Sequence, residues 1–326
     1  MTPSTPVDQP GGGPLPWIAA VVTVVLWSSA FVGIRYATES FSPGALTLAR
    51  TATAAAVLTV AVAARAALSR RRVTLPSGRT LVVVVLWGIG WFGLYNLALN
   101  TAEQHLDAGT TALVVNLAPV IVVVLAGVFL NEGFPRRLLL GVVIAFGGVA
   151  IIAAGSGLGG ATPIGVLLAL ASAAIYGVCA TTQKSVGRRV DPLTMTWIGC
   201  LMGVLTSLPF APELITRPLE PGPAAVAVYL GVFPTAVAFL TWGYALRRLP
   251  AGRLATSTYV SPALAIILAW ILLAEPPGPL SLLGGALCLT GVAVATLGTR
   301  RARPAAPGPN AAVGHADVAE SNRPHR

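Results

Sequence analysis

Charged residues are scarce in this sequence: Asp, Glu, Lys and Arg make up 10% of it, against about 25% in a typical soluble domain. The stretches 81–101, 110–130 and 254–273 contain no charged residue at all. Each is close to the roughly 20 apolar residues that cross a bilayer core. Because lipid offers no hydrogen bonds to the backbone, such runs must be helical. The sequence therefore predicts an all-α integral membrane protein.

Cysteine and histidine are also sparse, and their positions argue against catalytic and metal chemistry. Cys179, Cys200 and Cys288 lie in apolar stretches without a CxxC spacing, which disfavours a disulfide framework or a zinc site. His105 is the only histidine before the C-terminal tail, and no HExxH, GxSxG or P-loop pattern occurs. We expect no enzymatic activity, no metal and no cofactor. A membrane-embedded enzyme or receptor is the less favoured alternative, since no loop is long enough for a folded extramembrane domain.

Ten apolar runs predict ten transmembrane helices. They cover residues 17–37, 44–64, 80–101, 108–130, 136–154, 163–183, 193–211, 223–246, 252–273 and 279–299. Alternate loops and the C-terminal tail, all on one side of the membrane, carry 18 of the 21 Lys and Arg residues. Basic loops stay in the cytoplasm, so we expect an inner-membrane protein with both termini cytoplasmic. The net charge of +10 then has an explanation that needs no nucleic-acid partner.

The two halves of the chain repeat each other. A shift of 143 residues places Pro119 on Pro262, Glu132 on Glu275, and the segment 148–150 on 291–293. Each half contains five predicted helices, and an odd number inverts the second copy in the membrane. We expect inverted five-helix repeats at 17–154 and 163–299, with disordered tails at 1–16 and 300–326. Inverted repeats are a construction principle of secondary transporters.

Three motifs resemble the EamA-like branch of the drug/metabolite transporter superfamily. They are LWSSAFVGIRYA (26–37), SPGALTLAR (42–50) and LPAGRLATSTYVSPALAIILAWILLAEPP (249–277), and the resemblance extends over 17–299. It implies export of small metabolites such as amino acids, or of amphipathic drugs, by alternating access. An importer or an antiporter of the same fold is left open. Two departures are Ser172, where the family often has tryptophan, and Gly199, where symmetry with Arg50 would place a basic residue.

Polar and aromatic residues inside the spans are candidates for lining a substrate cavity, because polar groups that face lipid are costly. The candidates are Trp27, Arg50, Tyr95, Asn96, Asn100, Asn116, Tyr176, Gln183, Tyr244 and Tyr259. Arg50 could attract an anion, snorkel to the interface or pair with Glu39. The asparagines could bind a substrate or a neighbouring helix, and Tyr244 could belong to an interfacial aromatic belt. The expected partners are the lipid bilayer and a small-molecule substrate, and the chain is expected to be a monomer or a homodimer.

Other residues in the spans are expected to serve the helices themselves. Pro119 and Pro262 are predicted to kink their helices at mid-length and act as hinges, although a merely tolerated proline is the alternative. Two glycine pairs, each seven residues apart, predict close helix packing: Gly141 with Gly148, and Gly284 with Gly291. Arg35 is expected to snorkel, and Glu132 and Glu275 are expected to cap span ends. No Asp or Glu lies in the middle of a span, so the sequence shows no carrier for proton coupling.

Overall fold

The computed structural model describes residues 13–69, 74–121, 136–154, 162–187, 189–216, 220–249, 254 and 257–297. Within these ranges the regular structure is entirely helical. In chain order the helices are α1 (Pro14–Ala37), α2 (Pro43–Ser69), α3 (Gly78–Ala102), α4 (Ala108–Ile121), α5 (Arg136–Ala154), α6 (Pro163–Val186), α7 (Pro192–Thr216), α8 (Pro221–Leu246), α9 (Thr258–Leu273) and α10 (Pro279–Leu297). The all-α prediction is confirmed.

Length separates these helices into two groups. By length and composition α1, α2, α3, α6, α7 and α8 can each cross a bilayer, whereas the apolar parts of α4, α5, α9 and α10 are shorter. Where both ends are described, the helix boundaries follow the predicted spans to within a few residues; residues 251–253 and 255–256, at the start of the ninth predicted span, lie outside the described residues. The end of the fourth predicted span, Glu132 and most of both predicted tails lie outside the described residues. The count of ten membrane crossings stays a prediction.

Several helices begin at a polar residue followed by proline or a small residue. The side chain of Asp107 accepts a hydrogen bond from the backbone N–H of Thr110 at 2.7 Å, which caps α4. Asp191 caps α7 in the same way through Thr194 at 3.2 Å. Such caps satisfy backbone donors that the first helical turn leaves free. They place Asp107 and Asp191 at the ends of the bundle, close to other charged groups.

Two of the long helices contain a π-helical stretch at mid-length. These stretches are Ile89–Tyr95 in α3 and Gly231–Val237 in α8. Polar side chains bond the carbonyl groups there: Asn96 Nδ2 donates to the carbonyl oxygen of Trp91 at 3.1 Å, and Thr235 Oγ1 donates to that of Leu230 at 2.8 Å. The sequence did not predict either stretch. Such bulges are frequent at functional sites, and both of these border the central cavity described below.

The symmetric prolines lie at the start of helical segments rather than in the middle of continuous helices. In α4 the first segment ends at Val115, a turn follows at 116–117, and Pro119 belongs to the segment that resumes. In α9 a 3₁₀ turn precedes Ser261, and Pro262 occupies the first turn of the regular helix. Proline is accommodated in the first turn of a helix, because the backbone N–H groups there have no partner within the helix. Each proline thus follows an irregular turn, and the predicted kinks and the hinge role stay predictions.

Helices α5 and α10 pack against each other through the predicted glycines. A Cβ atom on Gly141 would lie 2.6 Å from the carbonyl oxygen of Gly291, and one on Gly284 would lie 2.5 Å from that of Gly148. Cys288 Sγ reaches across the same contact to the carbonyl oxygen of Ala145 at 3.3 Å. Because residue numbers rise along one helix as they fall along the other, the two helices run antiparallel. The prediction that these glycines permit close packing is confirmed.

Candidate functional site

A central cavity lies between α1, α2, α3, α4, α6, α8 and α9, and it has an empty volume of about 810 Å³ including the part open to solvent. None of its described lining residues comes from α5, α7 or α10. Six of the predicted cavity residues line it: Trp27, Arg50, Tyr95, Asn96, Asn116 and Tyr176. Pro119, one of the two predicted hinges, also borders it. The structure thus brings together side chains from both halves of the chain.

The remaining four candidates are not among the lining residues. Asn100 Nδ2 donates to Thr47 Oγ1 at 2.9 Å and so joins α3 to α2, which was the alternative interpretation. Gln183 is buried near the end of α6. Tyr244 lies beneath the guanidinium of Arg248, 3.7 Å from its ring centroid. Tyr259 packs beside the hydrophobic cluster that includes the contact between α5 and α10.

Aromatic rings form much of the cavity wall. Trp91 lies with its ring centroid 5.1 Å from Phe239 and 5.3 Å from Tyr176, both edge to face. Trp27 approaches Phe239 from α1 at 5.5 Å. Such arrangements are favourable for aromatic pairs and hold the rings in fixed orientations. Trp91 and Phe239 were not predicted to line the cavity, because the sequence does not indicate whether an aromatic residue in an apolar span faces a cavity or lipid.

Arg50 supplies a positive charge in this aromatic cavity. Its side chain is 5% exposed, and its Nη2 and Nε atoms donate to Thr235 Oγ1 at 3.1 and 3.3 Å. Its Nη1 atom has no hydrogen-bond partner in the described part of the chain, and no ion pair to Glu39 forms there. A buried cation with spare donors is costly unless an anion or a hydrogen-bond acceptor reaches it. The arrangement favours an anionic group bound in the cavity.

The π-helical stretch of α8 holds Arg50 in place. A Cβ atom on Gly231 would lie 2.6 Å from the carbonyl oxygen of Arg50, so only glycine lets α2 come this close. The approach brings the guanidinium to Thr235. Gly199 stands where symmetry would place a counterpart of Arg50 in the second half, and a Cβ there would lie 2.6 Å from the ring of Phe92. The positive charge therefore belongs to one half only.

We expect the Thr235→Val substitution to weaken binding of anionic solutes about 10-fold, since hydrogen bonds to charged groups contribute about 1.5–3 kcal/mol. The guanidinium loses its acceptor and its fixed position, while the shape of the side chain is kept. The KM for transport in proteoliposomes measures the effect. Thr235→Ser retains the hydroxyl and should keep the KM within about twofold of the original, and an equal loss in both variants would contradict the role of the hydroxyl.

A cluster of charged residues lies at the end of the bundle where α1 and α9 finish. Arg35 Nε donates to Glu275 Oε1 at 2.9 Å, and Arg35 Nη1 donates to the backbone carbonyl oxygen of Glu103 at 3.0 Å. Arg35, which was expected to snorkel, is thus held by a carboxylate that lies just beyond the end of α9. Glu275 does not merely cap its helix but connects the two halves of the chain.

Glu103 is a third residue that the sequence analysis did not single out. It lies one residue beyond α3, and its side chain is fully buried. Burial raises the pKa of this carboxyl well above its usual range; Arg35 acts in the opposite direction, and the neighbouring Glu275 and Asp107 raise the pKa further. In the sequence Glu103 is followed by Gln104 and His105, a polar stretch that indicates a loop. In the sequence no Asp or Glu lies in the middle of a predicted span, and Glu103, just beyond the end of α3, is buried all the same.

A second ion pair connects the halves at the other end of the bundle. Arg65 Nη1 at the end of α2 donates to Asp191 Oδ2 before α7, at 2.6 Å. Partial burial would raise the pKa of Asp191, but the hydrogen bonds from Arg65 and Thr194 outweigh it, and the pKa is lowered. The two side chains are 41% and 43% exposed, so solvent screens the attraction.

We expect Arg65→Gln to lower stability by less than about 1 kcal/mol, the usual range for exposed pairs. The folded pKa of Asp191 lies below its unfolded value, so this stability is fully present above about pH 4 and is lost as pH falls through the folded pKa. Thermal unfolding in detergent at a series of pH values should show a small constant gap between variant and wild type that closes under acid conditions. A gap that widens with acid would contradict the assignment.

Comparison with known proteins identifies the family. The model of the EamA-like transporter family matches residues 15–154 and 163–297. A probable terminal-alkyne amino-acid exporter of Streptantibioticus cattleyicolor is 35% identical over 87% of this chain and 95% of its own length. An uncharacterized transporter of Archaeoglobus fulgidus is 30% identical over 85% and 96%. The uncharacterized transporter YdfC of Bacillus subtilis is 30% identical over 84% and 89%.

A solved crystal structure also resembles this fold, with a TM-score of 0.58 and 24% identity, over 88% of this chain and 98% of the other. At that identity the likeness concerns the fold alone. The family and these relatives are transporters rather than enzymes, and the described helices include six that are long and apolar enough to cross a bilayer. The protein is a multi-pass membrane transport protein, and it belongs to the EamA-like transporter family.

Proposed function

We propose that this protein is a secondary transporter that exports small amphipathic metabolites carrying a carboxylate, amino acids among them, by alternating access. The observation that carries the proposal is the buried Arg50 guanidinium, whose Nη1 atom lacks a partner among the described residues beside an aromatic cavity. A carboxylate would accept hydrogen bonds from this atom, and charge-assisted bonds of this kind are roughly twice as strong as neutral ones.

The aromatic wall suits the other part of such a solute. Trp91, Phe239 and Tyr176 line the same cavity as Arg50 and offer apolar faces to it. An amphipathic anion or zwitterion would place its apolar part on these rings and its carboxylate on the guanidinium. A cationic drug would be repelled by Arg50 in a site of low dielectric. The charge therefore favours amino-acid-like solutes over cationic drugs.

The direction of transport is proposed from similarity. The relative from Streptantibioticus cattleyicolor, 35% identical, is described as a probable amino-acid exporter, which supports export. An importer or an antiporter of the same fold is the alternative. Expression in a host challenged with a toxic amino-acid analogue separates these cases, because an exporter raises tolerance and an importer lowers it.

Two features of the packing support two inverted repeats of five helices, the arrangement that alternating access would use. Under the 143-residue shift Gly141 corresponds to Gly284 and Gly148 to Gly291, and the contacts pair Gly141 with Gly291 and Gly148 with Gly284. Such crossed pairing is the signature of a two-fold axis between equivalent elements. The π-helical stretches of α3 and α8 also begin 142 residues apart, close to the same shift.

In the proposed arrangement the protein lies in the inner membrane and crosses it with ten helices, which form two repeats at 17–154 and 163–299. Both termini lie in the cytoplasm. The distribution of basic loops supports this orientation. The α1 carboxyl end with Arg35 and Glu275 would then face outward, and the end with Arg65 and Asp191 would face the cytoplasm. A monomer or a homodimer in the lipid bilayer, with a small-molecule substrate and no nucleic acid, completes the proposal.

The experiment that tests this function is solute counterflow in proteoliposomes. Vesicles loaded with a mixture of unlabelled amino acids are diluted into the same mixture labelled with ¹⁴C, and tetraphenylphosphonium is tested in parallel as an amphipathic cation. We expect transient accumulation of labelled amino acids, absent from protein-free vesicles, and no counterflow of the cation. Counterflow of the cation alone would overturn the assigned solute class.

A further inference from the structure

Glu103 is a carboxyl group that the proposed substrate site does not use. Its side chain has no exposed surface, and neither Oε1 nor Oε2 has a hydrogen-bond partner within the described residues. An ionised carboxylate in such a place lacks the donors that would offset its loss of water. A carboxyl that carries a proton avoids that cost. The position is therefore suited to a neutral, protonated acid.

The charged groups around Glu103 come from several elements. Arg35 of α1 is nearby, but its Nε bonds Glu275 and its Nη1 bonds the backbone of Glu103, so neither atom bonds the carboxyl. Glu275 after α9 and Asp107 before α4 add negative charge, and Arg50 of α2 and Arg35 oppose it. Two further groups that interact with this set are Tyr95 of α3 and Glu39, which faces Arg35.

The proton at Glu103 balances the charge of this cluster. Asp107 already accepts hydrogen bonds from the backbone N–H and hydroxyl of Thr110, and Glu275 is paired with Arg35. A third ionised carboxylate would have no counterion in contact among the residues that the structure describes. Among the described residues no group of three Asp, Glu, His or Cys side chains is arranged to hold a metal ion, so a proton is the cation that fits. Burial accordingly raises the pKa of Glu103.

The same cluster lies next to one end of the cavity. Arg35 follows Ile34, which lines the cavity from α1, and Leu99 lines it from the last turns of α3. The bond from Arg35 to Glu275 ties α1 in the first half to the end of α9 in the second half. To open this end, the two halves must separate at this pair. Water would then reach Glu103 and solvate an ionised carboxylate there.

We propose that Glu103 is a proton-binding site of the transport cycle, protonated while the Arg35–Glu275 pair closes this end of the cavity and deprotonated when this end opens. In the opening step the carboxyl O–H bond breaks, its electron pair stays on the oxygen, and the proton passes to the entering water. The closed form holds one proton more than the open form, so acid favours closure and alkali favours opening. The inference rests on the proposed transport function, since it assigns a step of that cycle.

The test follows the reactivity of a cysteine placed in the cavity. Leu99→Cys is treated with N-ethylmaleimide in detergent from about pH 5.5 to about pH 8.5, a range that lies above the ordinary pKa of a glutamate carboxyl. Its rate is divided by that of Ser40→Cys, an exposed position near the same end, which removes the intrinsic pH dependence of the thiol. The wild-type chain, with its three buried cysteines, gives the background.

We expect the normalised rate to rise about fivefold or more with pH when Glu103 is present. In the Glu103→Gln background it should stay low and flat, because the amide resembles the protonated acid. Glu220→Gln, at an exposed position outside the cluster, should leave the curve unchanged. A flat curve with Glu103 present, or the same rise with Glu103→Gln, would overturn the proposal. So would a rate that follows Na⁺ concentration, with choline as control, but not pH.

A second variant keeps the test decisive if Glu103→Gln does not fold. Asp107→Asn removes one of the negative charges that raise the proton affinity of Glu103, while asparagine still caps α4. The rise of the normalised reaction rate should move to lower pH in this variant, and an unchanged midpoint would count against Glu103.

Because the assay needs no solute, a failed counterflow experiment with an intact Glu103-dependent curve would remove the proposed transport function alone. Successful counterflow with a flat curve would remove only the proton site.

Discussion

Replacing Arg50 with glutamine should lower the transport of amino acids in proteoliposomes by about 10- to 100-fold, since the charge-assisted bonds at stake contribute about 1.5–3 kcal/mol. The loss arises because the guanidinium is the cavity's cationic donor to a carboxylate, with Nη1 free of partners among the described residues. Arg50→Lys should recover only part of the activity, since an ammonium group lacks the planar fork that matches a carboxylate.

The Arg50→Gln variant should still fold, so that its loss of transport can be told apart from unfolding. Among the described residues Arg50 has no hydrogen-bonded carboxylate that the substitution would leave unpaired, and Thr235 Oγ1 keeps its own bond to the carbonyl oxygen of Leu230 at 2.8 Å. Arg79→Gln, at an exposed position in the first turn of α3, is the matched control and should transport normally. Unchanged transport in Arg50→Gln would remove the basis of the substrate site.

The largest effect on stability is expected for Gly148→Ala. A Cβ atom there would overlap the carbonyl oxygen of Gly284 and lie 2.8 Å from the backbone nitrogen of Cys288. Backbone atoms cannot move aside as a flexible side chain does, so α5 and α10 must separate. Overpacking of this kind costs about 1–3 kcal/mol. We expect a lower unfolding temperature in detergent and a smaller folded fraction on gel filtration.

Gly147→Ala is the control for this substitution, because it lies on the same helix turn. A Cβ atom on Gly147 would meet no described atom within 4 Å, and alanine is the better helix former by about 1 kcal/mol. Gly147→Ala should therefore be as stable as the wild type or slightly more so. The packing account fails if Gly148→Ala unfolds at the same temperature as Gly147→Ala.

The sequence predicted those features whose cause is local. Apolar runs predict helices in lipid because no other conformation satisfies the backbone, and glycines seven residues apart predict a packing face. Arg50 stood out for a similar reason, as a charge within an apolar span. These signals depend on composition and spacing, and both can be read without knowing what lies across the bundle.

The features that the sequence did not predict depend on contacts between distant segments. Glu103 belongs to a polar stretch in the sequence, and it is buried only because α1 and the end of α9 close over it. The π-helical stretch of α3 contains no proline, and the one in α8 contains Pro234, a signal that indicates a kink but not its form. Pro119 and Pro262 illustrate the converse, since each indicates an irregularity whose position lies one turn earlier.

The most direct test of the central claim is whether Arg50 recognises the carboxylate of the solute. The amino acid with the largest counterflow signal is compared with its own carboxamide, which keeps the shape and loses the negative charge. We predict that the wild type prefers the acid at least about 10-fold, consistent with the loss of one charged hydrogen bond, and that Arg50→Gln transports both equally. An Arg50→Gln variant that keeps the full preference for the acid would contradict the account.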